Sequence, residues 1–467
     1  MLVSAAVEID GIYYNLDAGT KTAEVTAKPD KYQGDVTIPG TVNYGGTTYS
    51  VTSIGQEAFN YLCRGLTSVN IGSGVTAIGD KAFWYCSSLT SVNIPNSVTS
   101  IGMEAFAGCF GLTSIIIPNS VTYIGGGAFS ACNSLTSITI PDGVTAIDDR
   151  TFFSCAGLTS VTIGSGVTSI GMEAFYLCQV LTSINIPDGV TEIGEGAFMG
   201  CDGLASITIP SSVTAIGDGA FGSCDGITSF TVDEANTHFK SLDGVLMSKD
   251  GETLIAYPIS KTESAYIIPD GMTTIGCYAF WDCRGLTSIT IPSSVTSIGD
   301  GAFAFCVGLT SITLPDGVTE ICDQAFSNCD GLTSITIPNS VTYIGGGAFN
   351  GCYGLASITI PSGVTIIGKR AFGGCRSLTD MFCHAENVPM TGEYAFDESN
   401  IANATLHVPS GSVKAYKAAE PWKEFKEIVA LEEEQGVGRY DAKYDLNDDG
   451  KVDAADVVKL INFIAGK

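Results

Sequence analysis

Apolar and polar residues follow one another along this chain in a pattern that is repeated, with small changes, many times. In LTSVNIPNSVTSIGMEAFAGCFG, running from Leu89 to Gly111, the apolar residues are Leu89, Val92, Ile94, Val98, Ile101, Ala105, Phe106 and Cys109. Counted from the opening Leu, these are positions 1, 4, 6, 10, 13, 17, 18 and 21. Leu66, Leu89, Leu112, Leu135, Leu158, Leu181 and Leu204 open copies 23 residues apart, and Leu286, Leu309, Leu332 and Leu355 resume at the same step. A fixed period of this size marks a solenoid, in which one repeat cannot bury its apolar face and its neighbours supply the core.

Within a repeat the alternation at positions 1 to 6 predicts a short strand. Pro at position 7, as in Pro95, Pro118, Pro141 and Pro187, ends it by removing a ladder donor. V-T-x-I-G predicts a second short strand, and A-F-x-x-C a tight helical turn. The fold class expected is a mainly β repeat solenoid with short helical turns, a stack of 23-residue rungs capped at both ends. Thirteen rungs, from the one ending at Cys63 to the one ending at Cys375, would stack to roughly 60 Å at the spacing of paired strands.

The non-repeating segments divide the chain. Residues 1–50 carry short alternating runs between Gly, Asp and Pro and are expected to form an N-terminal β cap. Residues 1–6 resemble the tail of a secretory signal peptide, with small residues suited to cleavage but no charged or apolar region ahead of them. The solenoid is assigned to 51–377. Its register breaks between Ile227 and Gly285, where the Asp-Gly turn at Asp250-Gly251 between apolar runs predicts a hairpin, in an insert at about 233–268. That hairpin is expected to project from the stack. Residues 378–431 read as a C-terminal cap, with a short helix from Val413 to Ala419 and with Trp422 and Phe425 closing the core. Residues 432–443, opening on Glu432-Glu433-Glu434, read as an exposed linker.

The repeat L-x-x-I-x-I-P followed by V-T-x-I-G-x-x-A-F-x-x-C resembles the BspA-like leucine-rich repeat family of bacterial surface proteins. The resemblance implies an extended solenoid, a secreted or cell-surface location, and adhesion to an extracellular protein or glycoconjugate such as a host matrix protein.

Chemistry concentrates at the C-terminal end. Asp445-Leu446-Asn447-Asp448-Asp449-Gly450-Lys451-Val452-Asp453-Ala454-Ala455-Asp456 has the spacing of a twelve-residue calcium loop. Side-chain oxygens of Asp445, Asn447, Asp449, Asp453 and Asp456, with the Lys451 carbonyl, form the candidate Ca²⁺ set. Gly450 stands where the loop turns sharply, and Asp456 replaces the usual Glu. Residues 444–467 resemble the loop–helix half of a type I dockerin, which implies a cohesin-type partner. A full dockerin has two such halves, and one is visible here.

Composition changes the picture in two places. With 22 Lys and Arg against 49 Asp and Glu, the net charge of −27 opposes binding to a phosphate backbone. No apolar run is long enough to span a membrane. Of 16 cysteines, 13 recur at position 21, as a buried column of free thiols would; Cys277, Cys322 and Cys383 fall outside it. The three histidines, His238, His384 and His407, lie apart, and no nucleophile or phosphate-loop motif is present. Catalysis is not expected. Positions 3 and 5 are nearly all Ser, Thr or Asn and should face outward as hydroxyl ladders. Aromatic exceptions stand out at Trp84, Tyr85, Tyr123, Tyr176, Trp281, Phe305 and Tyr343. Two functions remain open at this point: a binding scaffold, or a spacer tethered to a larger assembly through residues 444–467.

Overall fold

The computed structural model describes residues 6–60 and 62–431. They form a β-solenoid of about 16 coils with little helix. All eight apolar positions of the Leu89 repeat are buried, none more than 7% exposed. The first strands pair in parallel at the repeat step, as Ser137–Thr139 does with Ser160–Thr162. The second strands do the same, as Ala146–Ile147 does with Ser169–Ile170. The first-strand pattern is exposed–buried–exposed, so positions 3 and 5 point to solvent.

The A-F-x-x-C segment departs from the helical turn expected of it. Residues at positions 16 and 20 take left-handed backbone, as at Lys81 (φ 55°) and Tyr85 (φ 57°). Single turns closed by Ala82 N–H to Gly79 O, Trp84 to Lys81 and Cys86 to Phe83 alternate with bonds to the next rung. Lys81 donates to Met103 O at 2.8 Å, Phe83 to Ala105 O at 2.7 Å and Tyr85 to Ala107 O at 2.7 Å. The segment is thus a third ladder, and alternate amides leave the rung instead of closing a helix. Each coil has three hydrogen-bonded sides.

Two columns fill the core. Phenylalanines at position 18 stack face to face, with centroids 5.5 Å apart for Phe106–Phe129, 5.3 Å for Phe175–Phe198 and 5.7 Å for Phe198–Phe221. Most position-21 thiols donate to the carbonyl of the Phe in the preceding rung, as Cys109 Sγ does to Phe83 O at 3.2 Å and Cys375 Sγ to Phe349 O at 3.3 Å; Cys283, which follows the insert, lies 3.9 Å from Trp281 O instead. Cysteine suits the site because it is small and apolar yet carries a weak donor. Beyond Cys375 the hydroxyl of Ser399 takes over, donating to Phe372 O.

Gly at position 14 is set by close approach between coils. A Cβ on Gly102 would lie 2.6 Å from the Asp80 backbone nitrogen. The Asp80 carboxylate in turn accepts the Met103 N–H at 2.8 Å, so the corner amide is satisfied across rungs.

At the N-terminus, Val7–Ile9, Ile12–Asp17 and Thr22–Thr26 form an antiparallel meander, and Thr22–Thr26 pairs in parallel with Thr47–Ile54. At the other end the helix spans only Val413–Tyr416. Trp422 and Phe425 are buried against Phe396, with centroids at 5.2 and 5.5 Å.

The insert is built into the stack rather than projecting from it. Phe239–Leu242, Val245–Ser248 and Thr253–Ala256 are antiparallel neighbours, and Thr253–Ala256 continues in parallel to Thr274–Ile275. Val245, Leu246 and Met247 are all buried. Leu246 packs with the N-terminal rungs, whereas Val245 and Met247 pack with the C-terminal ones. A strand alternates its side chains between its two faces, so this one separates two hydrophobic cores. Asn236 locks the entry: its amide donates to Pro210 O and Val213 O, and its oxygen accepts the His238 and Phe239 amides. Tyr257 then takes the Phe position, stacking on Phe280 at 5.2 Å.

Candidate functional site: the faces of the solenoid

The predicted calcium ligands Asp445, Asn447, Asp449, Lys451, Asp453 and Asp456 lie outside the described residues, as do the linker 432–443 and residues 1–5. Among the described residues no group of three or more His, Cys, Asp and Glu is placed to hold a metal ion, and no helix is long and apolar enough to cross a membrane.

The first-strand face is a neutral hydroxyl surface. Its Thr hydroxyls at position 2 bond to the main chain of the preceding rung, as Thr90 Oγ1 does to Thr67 O at 3.0 Å. Position 11 repeats the device, with Thr99 Oγ1 donating to Thr76 O at 3.2 Å. These threonines are structural. The outward Ser and Thr at positions 3 and 5 are left to solvent. Near the C-terminus the face changes, because Phe382 stacks on His407 at 4.4 Å and His407 Nε2 lies 3.0 Å from Asp380 Oδ1. That bond holds the Asp380 carboxyl below the usual carboxylate range.

Charge and aromatic side chains gather on the third side. Between residues 52 and 400 the lysines and arginines outside the insert are Arg64, Lys81, Arg150, Arg284, Lys369, Arg370 and Arg376, all at positions 15, 16 or 22. Neither strand face carries a cation there. Most are already paired, as Arg150 is with Glu173 at 2.6 Å and Arg284 with Asp282 at 2.6 Å.

Of the aromatic exceptions, the structure groups Trp84 with Tyr85 at 4.9 Å, and Tyr85 with Phe110 at 5.7 Å. Tyr176 stacks on Phe153 at 4.9 Å and Trp281 meets Phe305 at 4.8 Å. Tyr123 and Tyr343 stand instead on the second-strand face. Phe110, Phe153, Tyr278, Tyr353 and Tyr394 belong to the same third side and were not singled out by the sequence. Their positions, 16, 19 and 22, are visible in the repeat, but which of them meet depends on contacts between rungs.

A cavity of 280 Å³ opens where the insert joins the stack, with Asp218, Cys277, Tyr278 and Trp281 among its walls. It exists because the insert coil is short at this corner. Leu254 pairs with Ile275, 21 residues on, while Tyr257 bonds to Ala279 and stacks on Phe280, 23 residues on. Burial pushes the Cys277 thiol up, and Cys322 rises to about 12 for the same reason, helped by Glu320 and Asp300. The thirteen column cysteines and Cys383 are buried, and every cysteine is free. Cys383 Sγ lies 3.2 Å from the Tyr416 hydroxyl.

Parallel strands, a Phe column and a third ladder of turns define the class as a leucine-rich repeat solenoid, which presents broad faces rather than a closed active site. The chain belongs to the family of the BspA type leucine rich repeat region, whose model matches residues 52–180, 168–242, 260–379 and 296–417. Among solved structures it is similar to a leucine rich cell surface protein of Faecalibacterium prausnitzii A2-165, with 35% identity, TM-score 0.65, and coverage of 81% of this chain and 95% of that one. A leucine-rich repeat protein from Bacteroides ovatus is 31% identical, with TM-score 0.50 and coverage of 91% and 100%. The pneumococcal vaccine antigen PcpA shares the fold at 21% identity, with TM-score 0.54 and coverage of 92% and 99%. No curated protein sequence matches the chain. The relatives are repeat proteins rather than enzymes.

Proposed function

We propose that this is a secreted or cell-surface, non-catalytic repeat protein whose solenoid binds an extracellular protein or glycoconjugate. Adhesion to a host matrix protein is the form this would take in a bacterial surface protein. The observation that carries the reading is the uneven third side. The first-strand face, built largely of repeating Ser and Thr, presents most rungs nearly alike, whereas the turn side varies from coil to coil in aromatic and charged residues. A specific partner needs such variation, with aromatic anchors fixed in place. The cell-surface protein of Faecalibacterium prausnitzii supports the location.

The C-terminal tail has a separate role in this reading. Asp445, Asn447, Asp449, Lys451, Asp453 and Asp456 supply the hard oxygen donors that Ca²⁺ prefers, and the loop they form would offer a docking point for a cohesin-type partner. Calorimetric titration of the full chain with CaCl₂ should show one site that Asp445→Ala or Asp449→Ala abolishes. No heat of binding in the unaltered chain would remove calcium from the proposal. Surface capture of matrix proteins should survive deletion of residues 432–467 if the solenoid binds. Loss of capture on that deletion would favour a spacer tethered by its tail.

A further inference from the structure

We infer that the turn side between Trp281 and Glu398 is a binding groove for an extended, uncharged oligosaccharide. This rests on the reading of the solenoid as a binder of extracellular macromolecules and names the ligand class and the place.

Two adjoining depressions of 470 and 200 Å³ run along this side and share Asn328, Asn350 and Arg370. From the rung of Trp281 to that of Asp397 is five steps, about 24 Å at the spacing of paired strands. A pyranose in an extended chain advances by about the same distance as one rung, so successive sugars would meet successive coils.

Two side-chain amides, Asn328 and Asn350, lie close against glycines of the following coil. A Cβ on Gly351 would stand 2.4 Å from Asn328 Oδ1, and one on Gly373 would stand 2.6 Å from Asn350 Oδ1. Any larger residue at either glycine would lift the amide off the backbone. Carboxamides held in this way offer both a donor and an acceptor to a hydroxyl.

Aromatic rings stand at both ends. Trp281 and Phe305 meet at 4.8 Å with planes 52° apart. Towards the other end Tyr353 is 41% exposed, and the Arg376 guanidinium lies 5.1 Å from its ring centroid. Rings fixed in position suit the apolar C–H face of a sugar at low entropic cost.

The charges argue against an anionic ligand. Lys369 pairs with Glu393 at 3.7 Å, Arg370 with Asp397 at 3.9 Å and Arg376 with Glu398 at 3.1 Å. Each cation on this stretch is matched, so the groove presents oriented polar groups without net positive charge. Its shallow floor also lacks the deep apolar socket in which a protein partner seats a hot-spot side chain.

The test uses the full chain and calorimetric titration with cellopentaose, xylopentaose, mannopentaose and chitopentaose, alongside a heparin pentasaccharide. At least one neutral sugar should bind, quench or shift Trp281 fluorescence, and lose tenfold or more in affinity in Trp281→Ala and in Asn350→Ala. Thr208→Ala, on the exposed first-strand face, should bind as the unaltered chain does. Far-UV circular dichroism and a thermal melt establish that each variant is folded. No binding across the neutral panel overturns the proposal, as does tighter binding of the heparin sugar, or affinity unchanged in both groove variants. If a matrix protein is still captured undiminished by Trp281→Ala while no sugar binds, the groove is refuted and the broader binding function stands.

Discussion

Phe198→Ala tests the stacked column that holds the coils together. Phe198 is fully buried, lies between Phe175 at 5.3 Å and Phe221 at 5.7 Å, and is nearly parallel to both. Its amide donates to Ala220 O at 2.8 Å, and its carbonyl accepts the Cys224 thiol at 3.0 Å. Truncating a buried Phe costs about 3–5 kcal/mol through lost transfer energy and the cavity left behind. Losing two ring contacts adds on the order of 0.5–1.5 kcal/mol each. Because coils contact only their neighbours, the loss falls on the rungs of Cys178, Cys201 and Cys224 and not on the ends. Urea titration followed by circular dichroism should therefore show a fall of about 4–8 kcal/mol in the opening of the N-terminal half. Hydrogen exchange should show faster opening at Phe198, Met199 and Phe175 than at Phe349. Phe198→Leu, which refills much of the cavity but loses both ring contacts, should cost less than Phe198→Ala, and Thr208→Ala on the exposed strand face no more than about 0.5 kcal/mol. If Phe198→Ala matched Thr208→Ala, the ring column would not be what couples the coils.

Thiol labelling of the native protein at pH 8 should be slow and confined to Cys277 and Cys322, since burial raises their pKa and the remaining cysteines are enclosed; all 16 should react in denaturant. Rapid native labelling of a column cysteine would contradict the closed core. The Asp380–His407 contact should matter on the acid side. Asp380 is depressed below its unfolded value chiefly by the bond from His407, so its stabilisation is present above the unfolded carboxylate pKa and is lost as pH falls through the folded one. Melts between pH 2 and 5 should show Asp380→Asn converging with the unaltered chain at the lowest pH; a constant gap across that range would refute the assignment.

Much of the coil was legible because a 23-residue period fixes which side chains face the same way. Leu89, Val98, Phe106 and Cys109 could be placed inside, and Ser91 and Asn93 outside, without any coordinates. The period does not say which atom of one coil meets which atom of the next. Hence the pattern predicts a helical turn where Lys81 and Tyr85 in fact take left-handed backbone. The bond from most of the column thiols to the preceding Phe carbonyl was also invisible, although Ser399 in the same role shows that a donor is wanted there. The hairpin turn at Asp250-Gly251 was readable from local chemistry. That the strand before it would be buried on both faces was not, because Val245-Leu246-Met247 reads alike as a buried strand or as an exposed binding edge. The groove at Trp281 was signalled by two aromatic residues, while its amide floor depends on glycines of the following rung.

The strand Val245–Ser248 makes the molecule two bodies in series. Disturbance in a uniform stack can pass from coil to coil without limit, but here Leu246 serves one core while Val245 and Met247 serve another. The strand acts as a bulkhead. A chain pulled from its two ends should then yield in two separate steps, one half staying closed while the other opens. Stretching the chain from its ends in an optical trap should give two rupture events, merging into one when Leu246→Asp breaches the partition.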